Sequence, residues 1–259
     1  MKDLIASIWA EDLKIRRSKL LWISALIFSM IPLGVGLLVL VLRSPGLAAH
    51  LGIVKTKANL LLAATDWPAY LGLLSQTTAA DGIFWFAFVA SWVFGREYTD
   101  HTVKDLLALP VSRVTIVLSK FIITAVWCLL LSALIIISGL ITGFAISLPN
   151  FSLNLLYSSL GKIIVSAVFT IILITPAAFL ASVGKGYLLP LGFTASVLIA
   201  AQVFNVLGWA AFFPWAIPVL YITPSEHLGA ISYFILLLTG IAGMILTLAW
   251  WQYADQSGS

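Results

Sequence analysis

Long apolar stretches alternate with short polar connectors along the chain. Six stretches reach the length of about 20 residues that a helix needs to cross a bilayer: 20–42, 69–94, 114–144, 157–183, 187–207 and 228–251. None breaks into segments of alternating polarity, as barrel strands would. Backbone groups in hydrocarbon must be satisfied within the segment. The pattern therefore predicts an all-α polytopic membrane protein, one transmembrane domain over 1–259. The third stretch is longer than a bilayer requires and is expected to tilt, protrude, or kink near Gly139 or Gly143. These two glycines also form a small-xxx-small packing pair, and Pro176 predicts a kink in the fourth stretch.

Before the first span, within 1–19, Leu4, Ile5, Ile8, Trp9 and Leu13 fall on one helical face, and Lys2, Asp3, Ser7, Glu11 and Lys14 fall elsewhere. That spacing predicts an amphipathic helix in the membrane interface; the alternative is a charged anchor with a fortuitous stripe. The first apolar run is too long for a signal-peptide core and is read as a retained span. Two connectors are more than turns. The segment 43–68 leads into "NLLLAATDWPAY" and predicts a short interfacial helix before the second span. The segment 208–227, "GWAAFFPWAIPVLYITPSEH", is apolar, but Pro214, Pro218 and Pro224 rule out one straight helix. Irregular backbone at membrane depth must be buried in protein. This segment is therefore either re-entrant or interfacial, or else a greasy loop held at headgroup level by Trp209 and Trp215.

Composition closes off the soluble alternatives: 61% of residues are hydrophobic, 9% are charged, and mean hydropathy is +1.09. Basic residues set the expected orientation. Ten of the fourteen lysines and arginines fall on the side of the amino terminus, in 2–19, in the connector after the second span with Lys120 just beyond it, and at Lys185. That side is expected to be cytoplasmic, with both termini on it, in the plasma membrane of a bacterium. Arg43, Lys55, Lys57 and Lys162 lie opposite. Cys128 sits inside an apolar run and reads as packing. His50, His101 and His227 are far apart, without the i, i+4 spacing of a helical metal site, so neither a metal nor a cofactor is expected on this chain.

Against this background one connector stands out. The stretch 94–113, "FGREYTDHTVKDLLALPVSR", carries Arg96, Glu97, Asp100, His101, Lys104, Asp105 and Arg113. Val103, Leu106, Leu107 and Pro110 keep the i, i+3, i+4, i+7 spacing of a helix face, with Asp100, Lys104 and Asp105 on the other face. Thr102 and Asp105 make a weak capping box, and Asp100 is a second capping candidate. Pro110 stops the element, and Ser112 is placed to cap the third span. Within 95–113 the expectation is a stubby helix with an apolar ridge edged by charge, fit to dock in a partner's groove. The alternative is a solvated loop whose charges only set topology.

The stretch 91–121, "SWVFGREYTDHTVKDLLALPVSRVTIVLSKF", resembles the signature region of ABC type-2 membrane permeases, in the bacterial branch associated with bacitracin resistance, lantibiotic immunity and sodium-type export. Phe94, Gly95, Arg96, Glu97, Asp100, Thr102, Val103, Lys104, Leu106, Leu107, Pro110, Val111, Ser112 and Arg113 match that pattern. Thr99 and His101 depart from it without affecting a role. The six-span layout, the amphipathic amino terminus and the broken segment before the last span agree with the family over the whole chain.

The resemblance implies that the short helix is a coupling helix docking on a separate ATP-binding subunit, with ATP and Mg²⁺ on that partner. It also implies two ATPases serving two permeases, identical or different, and no nucleic-acid partner. The coupling residues it implies are Arg96, Glu97, Asp100, Thr102, Lys104, Asp105, Leu106, Leu107, Pro110, Ser112 and Arg113. The chain has no phosphate-binding loop of its own: Gly161-Lys162 and Gly184-Lys185 lack both the following Ser or Thr and the leading glycine.

Three polar residues inside the spans are candidates for a substrate path. Asp81 is an ionisable group at membrane depth that either lines a translocation cavity or hydrogen-bonds near the headgroups. Gln202 and Asn205 either bridge helices or line the same path. The leading expectation is the permease subunit of an ATP-driven exporter working by alternating access. Its few buried charges favour an amphipathic, lipid-like or peptide cargo. An ion-coupled carrier or channel, an intramembrane enzyme, and a sensor or immunity subunit using the same docking helix are the alternatives.

Overall fold

A computed structural model of the chain describes residues 2–43, 66–108, 110–223 and 228–254. Helix α1 (Lys2–Arg16) is followed after a short turn by α2 (Lys19–Arg43). The next described helix is α3 (Trp67–Thr99), then the short α4 (Val103–Leu107) and the long α5 (Arg113–Ala145). Two consecutive pieces, α6 (Leu153–Leu173) and α7 (Thr175–Val183), make the fourth apolar segment. Helix α8 (Leu188–Val206), two 3₁₀ turns (Ala210–Phe212 and Pro214–Ala216), α9 (Ile217–Ile222) and α10 (Ala230–Tyr253) complete the chain. Among the described residues, six helical segments are long and apolar enough to cross a membrane. The expected interfacial helix before the second span falls mostly outside the described residues.

Helix α3 is the hub. In its most apolar window 67% of residues are buried inside the protein, against 22% for α8, and α3 touches α2, α5, α6, α7, α8 and α9. Its start is set locally: the Asp66 carboxylate accepts from the Ala69 N–H at 3.1 Å, and Pro68 occupies the first turn. Close approach of α5 to α3 depends on the two glycines. A Cβ on Gly139 would lie 2.6 Å from Leu74 Cδ2, and one on Gly143 would enter the Trp67 ring. The Arg43 guanidinium donates to the Ile146 carbonyl at 2.8 Å and so closes the last turn of α5.

The fourth segment breaks at Ile174, ahead of Pro176, as the proline predicts. The Thr175 hydroxyl is shared between the carbonyls of Ile172 at 3.1 Å and Gly240 at 2.7 Å, which binds the break to α10. Gly240 and Gly243 let α10 lie directly on this point. The proline-rich segment before α10 is folded against the bundle. Ile217 is fully buried, the Ser166 hydroxyl donates to the Pro218 carbonyl at 3.2 Å, and Phe213 stacks on Phe204 with centroids 4.7 Å apart. Pro224 and His227 lie outside the described residues.

Candidate functional site

The polar connector departs from its expected form in three ways. First, the helix of the second span does not end at Phe94. Helix α3 continues to Thr99, so Arg96 and Glu97 are helical rather than part of a loop. Second, neither expected cap forms. Asp100 closes α3 instead, its N–H donating to the Arg96 carbonyl at 2.8 Å and its carboxylate pairing with Arg96 Nε at 2.9 Å. The Thr102 hydroxyl turns back to Glu97 Oε2 at 2.6 Å and is lost to the first turn of α4. A buried carboxylate is a stronger acceptor for a hydroxyl than its own chain offers. Third, the apolar ridge is not free. Val103 is buried, Leu106 and Leu107 pack half-buried on the main core, and only Pro110 is exposed. The outward face of α4 is Lys104, Asp105 and Ala108, all exposed; Leu109 lies outside the described residues.

Chain reversal between α3 and α4 runs through His101 at φ +57°, a left-handed conformation that His adopts more readily than most side chains do. At the far side Ser112 caps α5 as its position predicts, accepting from the Thr115 N–H at 3.1 Å. Arg113 donates to the carbonyls of Trp251 at 3.1 Å and Gln252 at 3.2 Å, which ties the start of α5 to the end of α10.

Beneath the connector lies a cluster of four charges. Lys120, one of the residues counted toward orientation, is fully buried. Its ammonium donates to Glu97 Oε1 at 2.9 Å, Glu11 Oε2 at 3.2 Å and the Val93 carbonyl at 3.1 Å, which uses all three protons. Lys14 bridges the same two carboxylates, at 2.7 Å to each. Glu97 thus accepts from α1, from α5 and from Thr102 at the foot of α4. Two cations offset two anions, so the cluster is neutral in sum, which is what burial at 3% exposure for Glu97 and 6% for Glu11 requires. Arg96 closes one side, 4.9 Å above the Trp92 ring and 3.4 Å from the Lys14 carbonyl.

The cluster also corrects the reading of α1. Glu11, which the spacing sets off the apolar stripe, is buried with Ile15, whereas Ile5 and Trp9 of the apolar stripe are exposed on the surface of the bundle. Helix α1 docks by a polar face on α5 and leaves part of its apolar face outward, as an interfacial helix can where hydrocarbon takes the place of protein. Sequence reasoning missed Lys120 and Glu11 as a pair. The available signal was a lysine two turns inside an apolar run, a position that demands an anionic partner.

Burial alone would lower the pKa of the Lys14 ammonium. The Glu11 and Glu97 carboxylates outweigh it and hold that group above its ordinary 10.5. A raised folded-state pKa means that the stabilisation from Lys14 is complete below 10.5 and fades as pH rises through the higher folded-state value. Thermal unfolding followed from about pH 9 to 12 should therefore fall more steeply for the wild type than for Lys14→Met. Parallel curves would remove Lys14 from the cluster's energetics.

A cleft of about 290 Å³ opens at this end between α1 and α4, bounded by Lys14, Arg96, Glu97, Asp100, Asp105 and Leu106. Gln202 and Asn205 line a different cavity, about 270 Å³, with Ala80 and Ile83 of α3, Trp215 and Thr223. Asp81 is exposed and does not line that cavity. The three intramembrane candidates are thus not gathered in one place. Gln202 and Asn205 share a wall, and Asp81 lies beside it on another face of α3.

Comparison with known proteins places the chain in a family. The family described as ABC-2 family transporter protein matches over residues 7–202, which takes in the α1–α5 cluster, the connector and the cavity-lining Gln202. The bacitracin transport permease protein BCRB of Bacillus licheniformis is similar, with 22% identity over 179 residues, 67% of this chain and 85% of the relative. The chain is a multi-pass membrane permease subunit and belongs to the ABC-2 family of transporter proteins.

Proposed function

We propose that this permease is the membrane half of an ATP-driven exporter, that its ATPase subunit docks on α4, and that the end carrying α1 and α4 faces the cytoplasm. ATP and Mg²⁺ belong on that partner chain. The complex is read as two permeases with two ATPases, and the cargo as an amphipathic, lipid-like or peptide molecule. The name of the bacitracin permease relative fits that cargo class.

The observation that carries the reading is the anchoring of α4. A helix of five residues has little stability of its own. Here it is held by Val103 and the Leu106–Leu107 pair on one side and by the Thr102–Glu97 bond on the other, with a charged face left outward. Load on that face passes through Glu97 to α1 and α5 at once. It also passes along α3, unbroken from Thr99 to Trp67. At 1.5 Å per residue, Ile83 on the cavity wall is about 21 Å from Glu97 along one rigid rod. Displacement at α4 would thus shift one wall of the Gln202–Asn205 cavity, the kind of linkage alternating access needs.

The test is co-purification of the tagged full-length chain with the candidate ABC ATPase of its host, with ATP hydrolysis read on the complex. Wild type should retain the ATPase and change its rate. The surface charge reversal Lys104→Glu/Asp105→Lys, which spares the buried side of α4, should reduce retention about tenfold or more. An ATPase held equally by both proteins would move the docking surface off α4. An ATPase held by neither would favour a carrier that works without one.

A further inference from the structure

A second concave surface lies away from both the connector and the Gln202–Asn205 cavity. A groove of about 380 Å³ runs between α5, the α6–α7 break and α10, lined by Phe121, Ile122 and Ala125 of α5, Ile172 at the break, and Ile241 and Met244 of α10, among others. Its walls are open to the outside: Ile122 is 38% and Ile241 is 55% exposed. Among the described residues the one polar side chain in the lining is Thr175, whose hydroxyl is already committed to the Ile172 and Gly240 carbonyls. The groove's described lining therefore has no uncommitted side-chain donor for an occupant. Every helix bordering it belongs to a membrane-spanning segment, so the medium against it is hydrocarbon.

Depth and charge narrow the occupant further. From Arg113, the wall residues Leu118 to Ala125 lie about 8 to 18 Å along the axis of α5. That is the depth of the acyl chains of one leaflet in a core about 30 Å thick. Arg113 spans the same two helices that form the walls, since its guanidinium bonds the last carbonyls of α10. It is exposed, and only one of its two terminal nitrogens is engaged by those carbonyls. Guanidinium N–H groups pair in a fork with phosphate oxygens.

We infer that the α5–α10 groove is a binding site for one anionic phospholipid of the leaflet at the α1–α4 end, its acyl chain lying along Phe121, Ile122, Ala125 and Ile241 and its phosphate on Arg113. This site goes beyond the proposed export function and does not depend on it. The chain fills a void that the three helices leave open, and the headgroup holds the starts of α5 and the end of α10 together. The bound lipid would thus brace the α6–α7 break from the membrane side.

Native mass spectrometry of the full-length protein in detergent, after incubation with phosphatidylglycerol or phosphatidylcholine, tests the site. Wild type should retain one phosphatidylglycerol per chain in preference to phosphatidylcholine. Ala125→Trp fills the groove and should cut retention about tenfold, with Ala125→Leu intermediate. Arg113→Gln should cut phosphatidylglycerol retention about fivefold and erase the preference between the two lipids. Ile137→Trp, an exposed position on α5 outside the groove, should change nothing and shows that a tryptophan on this helix is tolerated. Equal lipid retention by Ala125→Trp and wild type overturns the inference, and so does an unaltered preference in Arg113→Gln. So does a chain dimer that Ala125→Trp dissolves without altering lipid retention, because the occupant would then be a second copy.

Discussion

Lys120→Met should lose about 3–5 kcal/mol of folding stability, a large fraction of the total for most domains. The substitution keeps the length and much of the volume of the side chain, so packing alone would predict a small change. It removes the cation that bonds Glu97, Glu11 and the Val93 carbonyl in a fully buried position. Lys14 alone then faces two carboxylates, and one of them is left without compensation although both are almost fully buried.

The loss should be strongly non-additive. Lys120→Met/Glu97→Gln removes one charge of each sign and should recover a sizeable part of the stability, with a coupling of about 1–3 kcal/mol between the two sites. Unfolding of the protein in lipid nanodiscs, followed by tryptophan fluorescence, measures both. If Lys120→Met melts with the wild type, the cluster is decorative and α4 must be anchored by its leucines alone. On the exporter reading the variant also carries a functional signature. An ATPase would still bind the outward face of α4, but its hydrolysis would no longer respond to the permease, because the link from Glu97 to α5 is gone.

Gly243→Ala should destabilise by about 2 kcal/mol or more even though alanine is the better helix former by about 1 kcal/mol. A methyl there would sit 2.5 Å from the Pro176 nitrogen, 2.6 Å from Thr175 Oγ1 and 2.7 Å from the Thr175 carbonyl carbon. Two of these three atoms are backbone at a helix break, and the third is fixed by its bond to Gly240. None can rotate aside, so α10 must lift off the fourth segment. Gly34→Ala is the matched control, because a methyl at that position meets nothing within 4 Å. It should leave the melting temperature unchanged or slightly raised. Equal effects from the two substitutions would mean that α10 does not rest on the break.

These two sites differ in how visible they are before folding. Ser112 as the cap of α5, Pro176 as the break, and Gly139 with Gly143 as a packing pair can each be read from a few neighbouring letters. Each depends on a local cause: a hydroxyl before a helix, a missing N–H, two small residues on one face. The two caps expected for α4 are equally local and do not form, because Arg96 holds the Asp100 carboxylate and Glu97, reached by the turn through His101, competes for the Thr102 hydroxyl. Gly243 carries no local sign of its role, since the backbone it touches lies more than sixty residues earlier in the chain.

The amino-acid order alone settles that this chain is a bundle of membrane-spanning helices with one charged connector, because hydropathy over about 20 residues is a sum that needs no knowledge of neighbours. The signature within that connector also points to its family. Which face of each helix meets which partner was decided only in three dimensions. Lys120 and Glu11 are 109 residues apart; the apolar run around Lys120 calls for an anionic partner, but nothing near it in the sequence says which. They become one buried pair because α1 packs along α5, where Glu97 of α3 bonds the same Lys120 ammonium. Compensation belongs to the pair, so the identity of the partner is in neither residue's local sequence.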